Sequence, residues 1–426
     1  MKHLLAALVF GGLMTVAATS AIAAPPTKAL AKLFADERAF VWREDPLAAT
    51  SEGIRGYDDR LPSVTQAAQA RRLSADEAFL RRLHSIKRGK LSAQPQVSYE
   101  LFEFMVASRV ALARHKEWRI PFNSDSGFFA DLLQLASLAD PQTVRQYEDY
   151  IARLNDVPRY FREQTANMRQ GVRDGFTLPA AVMGGLSTVI DGFAFGAPET
   201  TPFWTPFAQF PDTVPQSERA RLAEAGRAAI TNSVIPAFSE FRTFFQTEYA
   251  PRARRSIAAS ALPNGRAYYA DLVRYFTTLP DATPRSVHQT GLREVARIRG
   301  EMEAIVREVG FQGSFNDFLI FLRTDPQFYA RTPEELLYRA AWITREIDGR
   351  MPDYFGHMPR TPYTVEPVPA AIAPNYTGGR YNPGPMGAAG TYWVNTYALN
   401  TRPLYVLPSL TAHEAAPGHH IQGAIA

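Results

Sequence analysis

Nine stretches of helical periodicity run through the chain between residues 28 and 350, and they leave little room for any fold class but mainly α. The recurrence of apolar residues predicts helices over 28–43, 64–87, 98–116, 141–171, 215–250, 265–278, 284–309, 314–323 and 333–350. The clearest is GLREVARIRGEMEAIVREVGF. In it Leu292, Val295, Ile298, Met302, Ile305 and Val309 recur at three- and four-residue steps, which places them on one helix face, while Arg and Glu fill the other. A packing helix with a solvated charged side is expected there, stopped by Gly310. In PQSERARLAEAG, Ser217 is the candidate N-terminal cap of another.

The texture changes after Phe355. From Pro359 to Pro408 the chain is rich in Pro and Gly, and YNPGPMGAAGTYW has no helical period. Two strands are expected, YTVEPVP at 363–369 and TYWVNTY at 391–397, because β-branched and aromatic residues concentrate there. In the second, Trp393, Asn395 and Tyr397 share one face, and Tyr392, Val394 and Thr396 the other. The reading is a multi-helix fold with a small β element placed before a histidine-bearing helix. No internal repeat, low-complexity tract or boundary interrupts it, so residues 24–426 read as one domain.

Hydrophobic residues make up 46% and charged residues 21% of 426, which is ordinary for a globular protein. The 46 basic and 42 acidic side chains are interspersed, and no basic block marks a nucleic-acid footprint. The N-terminus reads as a secretory signal peptide over residues 1–23. Lys2 precedes an apolar run from Leu4 to Ala18, and Ala21-Ile22-Ala23 is a small-x-small cleavage pattern. A periplasmic or secreted protein follows, with no stable membrane insertion after cleavage. The chain has no cysteine to form a disulfide or to carry a lipid, so its core alone must hold it together.

The chemistry concentrates in TAHEAAPGHHIQGAIA, residues 411–426, which holds three of the eight histidines. In the zinc motif H-E-x-x-H, two His four residues apart share a helix face and bind one ion, while the Glu works on water. Here His419 and His420 follow His413 at six and seven residues. On an unbroken helix six residues is about 600° of rotation, and seven residues separate the rings by roughly 10.5 Å. A regular helix therefore fails. Pro417 lacks an N–H and clashes with the carbonyl of His413, and Gly418 permits dihedrals other residues avoid. A bulge of two residues would bring His419 to the second ligand position and leave His420 to bind substrate or orient a ligand. A bulge of three would exchange those roles. The expected site is thus Zn²⁺ held by His413 with His419 or His420, and Glu414 beside it.

The chain also resembles the bacterial domain-of-unknown-function 885 family. The resemblance rests on GYDDRLPSV near residue 56, LPNGRAYYADLVRYFTT at 262–278, HQTGLREVARIRGEMEAI at 288–305, GTYWVNTY at 390–397 and HEAAPGHHIQ. It implies a relative of the gluzincin-type zinc metallopeptidases with a metallopeptidase-like helical fold. On that basis the function expected is hydrolysis of peptides or oligopeptides, with zinc polarising the carbonyl and Glu414 as general base. Asn395 and Tyr397 are the candidate substrate contacts, and the strand at 391–397 the candidate edge for an extended peptide. MGAAG stands where the family more often has Arg-Pro-Gly, which puts any contact made by that Arg in doubt. Family members continue into a helix with a Glu-Gly-Trp stretch, whose Glu would be a third zinc ligand. By that comparison the chain reads as a C-terminally truncated and inactive fragment. The alternative is a non-catalytic helical binding or scaffold protein of the cell envelope with a vestigial metal site.

Overall fold

The computed structural model describes residues 28–123, 127–183, 186–192, 194–370, 373–384 and 389–425. The expected signal peptide and most of MGAAG lie outside them. Contacts divide the chain into two compact units that meet between His288 and Gln289. That division falls inside a helix, where composition does not change and the sequence carries no mark of it.

The first unit holds α1 (Lys28–Glu44), α2 (Gln66–His84), α3 (Ala93–Arg114), α4 (Val144–Asp174), α5 (Gln216–Ala229), α6 (Ile235–Phe244) and α7 (Gly265–Thr277). Thr65 and Thr143 cap α2 and α4 by accepting from the amides of Ala68 and Gln146. Ser217 does not cap α5. The helix begins one residue before it, at Gln216, with the extended backbone of Pro215 as its boundary. The helix expected over 215–250 is drawn as α5 and α6, each followed by a wider π-helical turn, Ile230–Val234 and Phe245–Tyr249.

Aromatic rings dominate the core of this unit. Phe128 meets Phe161 and Phe241 edge to face at centroid separations of 5.1 and 5.0 Å, the arrangement favoured by ring quadrupoles. Arg153 of α4 is fully buried and donates to the carbonyls of Arg60 and Tyr57 and to Thr50 Oγ1. It pins the GYDDRLPSV loop to the helix.

The boundary helix is α8 (Pro284–Glu308). It forms as its periodicity predicts, but its apolar face is not packed among the described residues. Leu292, Val295 and Ile305 are more than half exposed, and Val306 is the buried residue of the helix. Local terms support it: Arg297 pairs with Glu294 and Glu301, and Arg299 with Glu303, at helical spacing. Gly310 follows in the left-handed conformation that ends helices.

The second unit continues with α9 (Phe315–Thr324), α10 (Pro333–Tyr354), β1 (Tyr363–Pro367), β2 (Gly379–Asn382), β3 (Gly390–Val394), α11 (Leu407–Glu414) and α12 (His419–Ile425). The three strands form one sheet in the order β1-β3-β2, with β1 parallel and β2 antiparallel to β3. Burial alternates along β3 as the sequence predicts. Tyr392 and Val394 are buried and pack with Leu336 and Ala340 of α10, Leu407 of α11, and Ala415. Met351, Ala416 and Ile421 form a separate, smaller cluster, and Tyr363 packs against both. Within the histidine segment Ala415, Ala416 and Ile421 are buried apolar positions, which fix where its polar side chains emerge.

Candidate metal centre

The histidine segment is two helices rather than one bent helix. Glu414 ends α11, Ala415 leaves helical dihedrals at φ −97° and ψ −121°, and α12 begins at His419. The turn between them is closed by its own backbone: Gly418 N–H donates to Ala412 O at 2.9 Å, and His420 N–H to Ala415 O at 3.1 Å. No side chain fits at position 418, because a β-carbon there would overlap the His413 carbonyl oxygen and lie 2.7 Å from that of Ala412.

This turn carries His419 back to His413. Their rings stand nearly perpendicular, at 85°, with centroids 4.8 Å apart. Glu414 Oε2 lies 3.9 Å from His419 Nε2, and one ligand atom from each of His413, Glu414 and His419 falls within 4.8 Å of the others. Donors around a tetrahedral zinc ion, each at about 2.0–2.1 Å, stand roughly 3.4 Å from one another. Small side-chain rotations would close the difference, so the donor set and its spacing fit a zinc ion. The two imidazoles are exposed and open to a ligand, whereas Glu414 is 9% exposed. Its Oε2 accepts a hydrogen bond from the Tyr381 backbone N–H at 2.9 Å.

His420 is turned away from this cluster. It is 3% exposed, between the rings of Tyr363 and Tyr381 at 4.5 and 5.6 Å, and its Nδ1 meets the Tyr381 hydroxyl at 3.1 Å. Burial pushes its pKa below the usual value, against the upward pull of Asp348 and of a hydrogen bond to the Thr361 backbone. A ring so enclosed does not reach a substrate at the surface. This packing turns His420 inward and leaves His419 facing His413.

Asn395 is not a surface residue. It has no exposed area, its Nδ2 faces the carbonyls of Ala373, Tyr376 and Thr377 at 2.9–3.0 Å, and its Oδ1 accepts from Tyr397 N–H. β3 stops at Val394, so Asn395 turns into the loop before β2 instead of continuing the Trp393 face. Tyr397 is 52% exposed and outside the strand. The strand expected to receive a peptide is the middle of the sheet, with β1 and β2 occupying both of its edges. The edge of β2 that is not paired with β3 faces α11, and Tyr381 on it touches the candidate centre. The sequence marks neither β2 nor Tyr381, since Gly-Arg-Tyr-Asn has no alternation and sits in a Pro- and Gly-rich tract.

No curated protein matches the chain at a significant level. Among solved structures it is similar to a candidate lipoprotein from Colwellia psychrerythraea, with a TM-score of 0.81 and 22% identity over 93% of this chain and 72% of that one. It is also similar to a candidate lipoprotein of unknown function from Shewanella oneidensis, with a TM-score of 0.62 and 16% identity over 92% of this chain and 71% of that one. At these identities the likeness is one of fold. The family model described as "Bacterial protein of unknown function (DUF885)" matches residues 46–426, and the chain belongs to that family.

Proposed function

We propose that this protein is an exported zinc-dependent peptidase whose centre is His413, Glu414 and His419. The observation that carries the reading is the convergence of two exposed imidazoles and a nearly buried carboxylate within 4.8 Å, at a turn that admits only glycine. His413 and His419 hold the metal. A bound zinc ion would supply Lewis acidity to the scissile carbonyl and acidify the attacking water. Glu414 is fixed through Oε2 by the Tyr381 N–H, which leaves Oε1 to take a proton from water and return it to the departing amine. The lipoprotein descriptions of both structural neighbours support a place in the cell envelope, in keeping with the expected signal peptide.

Catalytic zinc sites take three protein ligands. The short distance between Glu414 and His419 favours a second reading, in which Glu414 is itself the third ligand. One experiment separates these: zinc content and hydrolysis of a mixed peptide library for the wild-type chain and Glu414→Gln. As general base, Glu414→Gln keeps about one zinc per chain and loses at least roughly a hundredfold in rate. As ligand, it loses the zinc as well. A wild-type chain that takes up no zinc, or a Glu414→Gln variant that hydrolyses peptides at the wild-type rate, removes the proposal.

A further inference from the structure

We propose that His420 is a positioning residue for Glu414, acting through Tyr381. The proposal rests on the reading of Glu414 as the working carboxylate only for its kinetic consequence; the linkage itself stands on contacts. β2 is four residues long, is paired on one side with β3, and presents its other edge to α11. Pairing with β3 orients the Tyr381 N–H from one side only, and the anchored side chain adds a second constraint.

The side chain is anchored at three points. The phenol fills the space over Gly390 of β3, where a β-carbon would overlap its hydroxyl oxygen. Its ring edge packs on the His420 imidazole at 5.6 Å and 64°. Its hydroxyl meets His420 Nδ1 at 3.1 Å. A neutral imidazole has one donor and one acceptor. In either tautomer the Nδ1–hydroxyl contact pairs one donor with one acceptor.

His420 is held in turn from the far side. Tyr363 packs on it at 4.5 Å and donates its own hydroxyl to Asp348 Oδ1 at 3.2 Å. A brace therefore runs from α10 through β1 and α12 to β2, and it ends at the hydrogen bond that orients Glu414. His420 comes directly after the histidine that faces His413. The turn that presents His419 outward thus drives His420 inward, and one backbone feature sets both positions.

The test uses the wild-type chain and three variants. His420→Phe keeps the ring contacts and removes the hydrogen bond. Tyr381→Phe removes the same bond from the other end while keeping the backbone N–H. His420→Asn restores a polar group at the δ position. Residue-resolved amide exchange reads the Tyr381 N–H directly, without metal or substrate. The expected result is exchange at Tyr381 faster by at least about tenfold in both Phe variants and near wild type in His420→Asn. The Asn395 amide, bonded to Gly378 O at 2.9 Å, should not change. Tyr381 exchange within about twofold of wild type in both Phe variants, or an equal acceleration at Asn395, overturns the proposal. The second would mark a merely structural role for His420 in the sheet. In the kinetic arm, both Phe variants should lower kcat by roughly tenfold, with KM and zinc affinity within about twofold. If the wild-type chain hydrolyses nothing, the peptidase reading fails and the exchange result alone decides the linkage.

Discussion

Gly418 lies directly on the backbone of His413: its N–H reaches past it to the Ala412 carbonyl at 2.9 Å, and no β-carbon fits between them. This contact, more than any feature of the histidines themselves, makes two rings six residues apart into neighbours.

A substitution at that contact should therefore act on metal binding. Gly418→Ala must push the two helix ends apart, since the neighbouring atoms are backbone and cannot swing away. Zinc affinity, measured by competition with a chelator, should fall by at least about a hundredfold, or roughly 2.7 kcal/mol. Thermal unfolding of the first unit should be unaltered. Unchanged affinity would mean that the turn does not set the His413–His419 pair.

Metal should also stabilise the second unit. A ligand present at a hundred times its Kd adds about 2.7 kcal/mol to the folded state. Calorimetry with and without zinc should show a raised transition in the wild-type chain, reversed by a chelator. His419→Ala should abolish the rise and His420→Asn should keep it. A rise that survives His419→Ala would place the metal elsewhere.

Asn395 should matter for stability and not for substrate. Three backbone carbonyls face its buried amide, and losing one buried partner costs about 1–3 kcal/mol. Asn395→Ala is expected to destabilise by at least that much in urea titrations, while zinc affinity holds. A change within about 0.5 kcal/mol, as at an ordinary surface position, would refute the clamp.

The first unit supplies a pH prediction. Burial raises the pKa of Glu117, outweighing the Tyr268 hydrogen bond and the His115 charge that lower it. A raised carboxyl favours its neutral form in the folded chain. Its contribution is therefore present below the ordinary carboxylate range and is lost as pH rises through the folded pKa. Glu117→Gln keeps a polar partner for Tyr268 and does not ionise. The variant should be more stable than wild type at pH 7, and the advantage should shrink as pH falls toward 4. The same stability difference at both pH values would remove Glu117 from the account.

Much of the helical content could be read from the chain because it depends on neighbours three and four residues away. α8 is the clearest case: its bounds and its charged side follow from periodicity. Where its apolar face goes does not, since burial is a property of what packs on a helix and not of the helix. The same limit hid β2. Its four residues carry no pattern of their own, and they become a strand only when β3 supplies the partner.

The sequence by itself determined that His413, Glu414 and the His419-His420 pair could not share a regular helix, because Pro417 and Gly418 intervene and the helical repeat is fixed by backbone geometry. The tertiary structure decided which histidine faces which way. Tyr363 and Tyr381, 57 and 39 residues before His420, enclose its ring and leave His419 outside. It also decided that Asn395 is a clamp and that Tyr381 holds Glu414, 33 residues away. Backbone rules act within a turn or two. The choice among polar side chains at a site is made by packing across the chain, where desolvation costs a buried imidazole or amide heavily unless distant partners meet it.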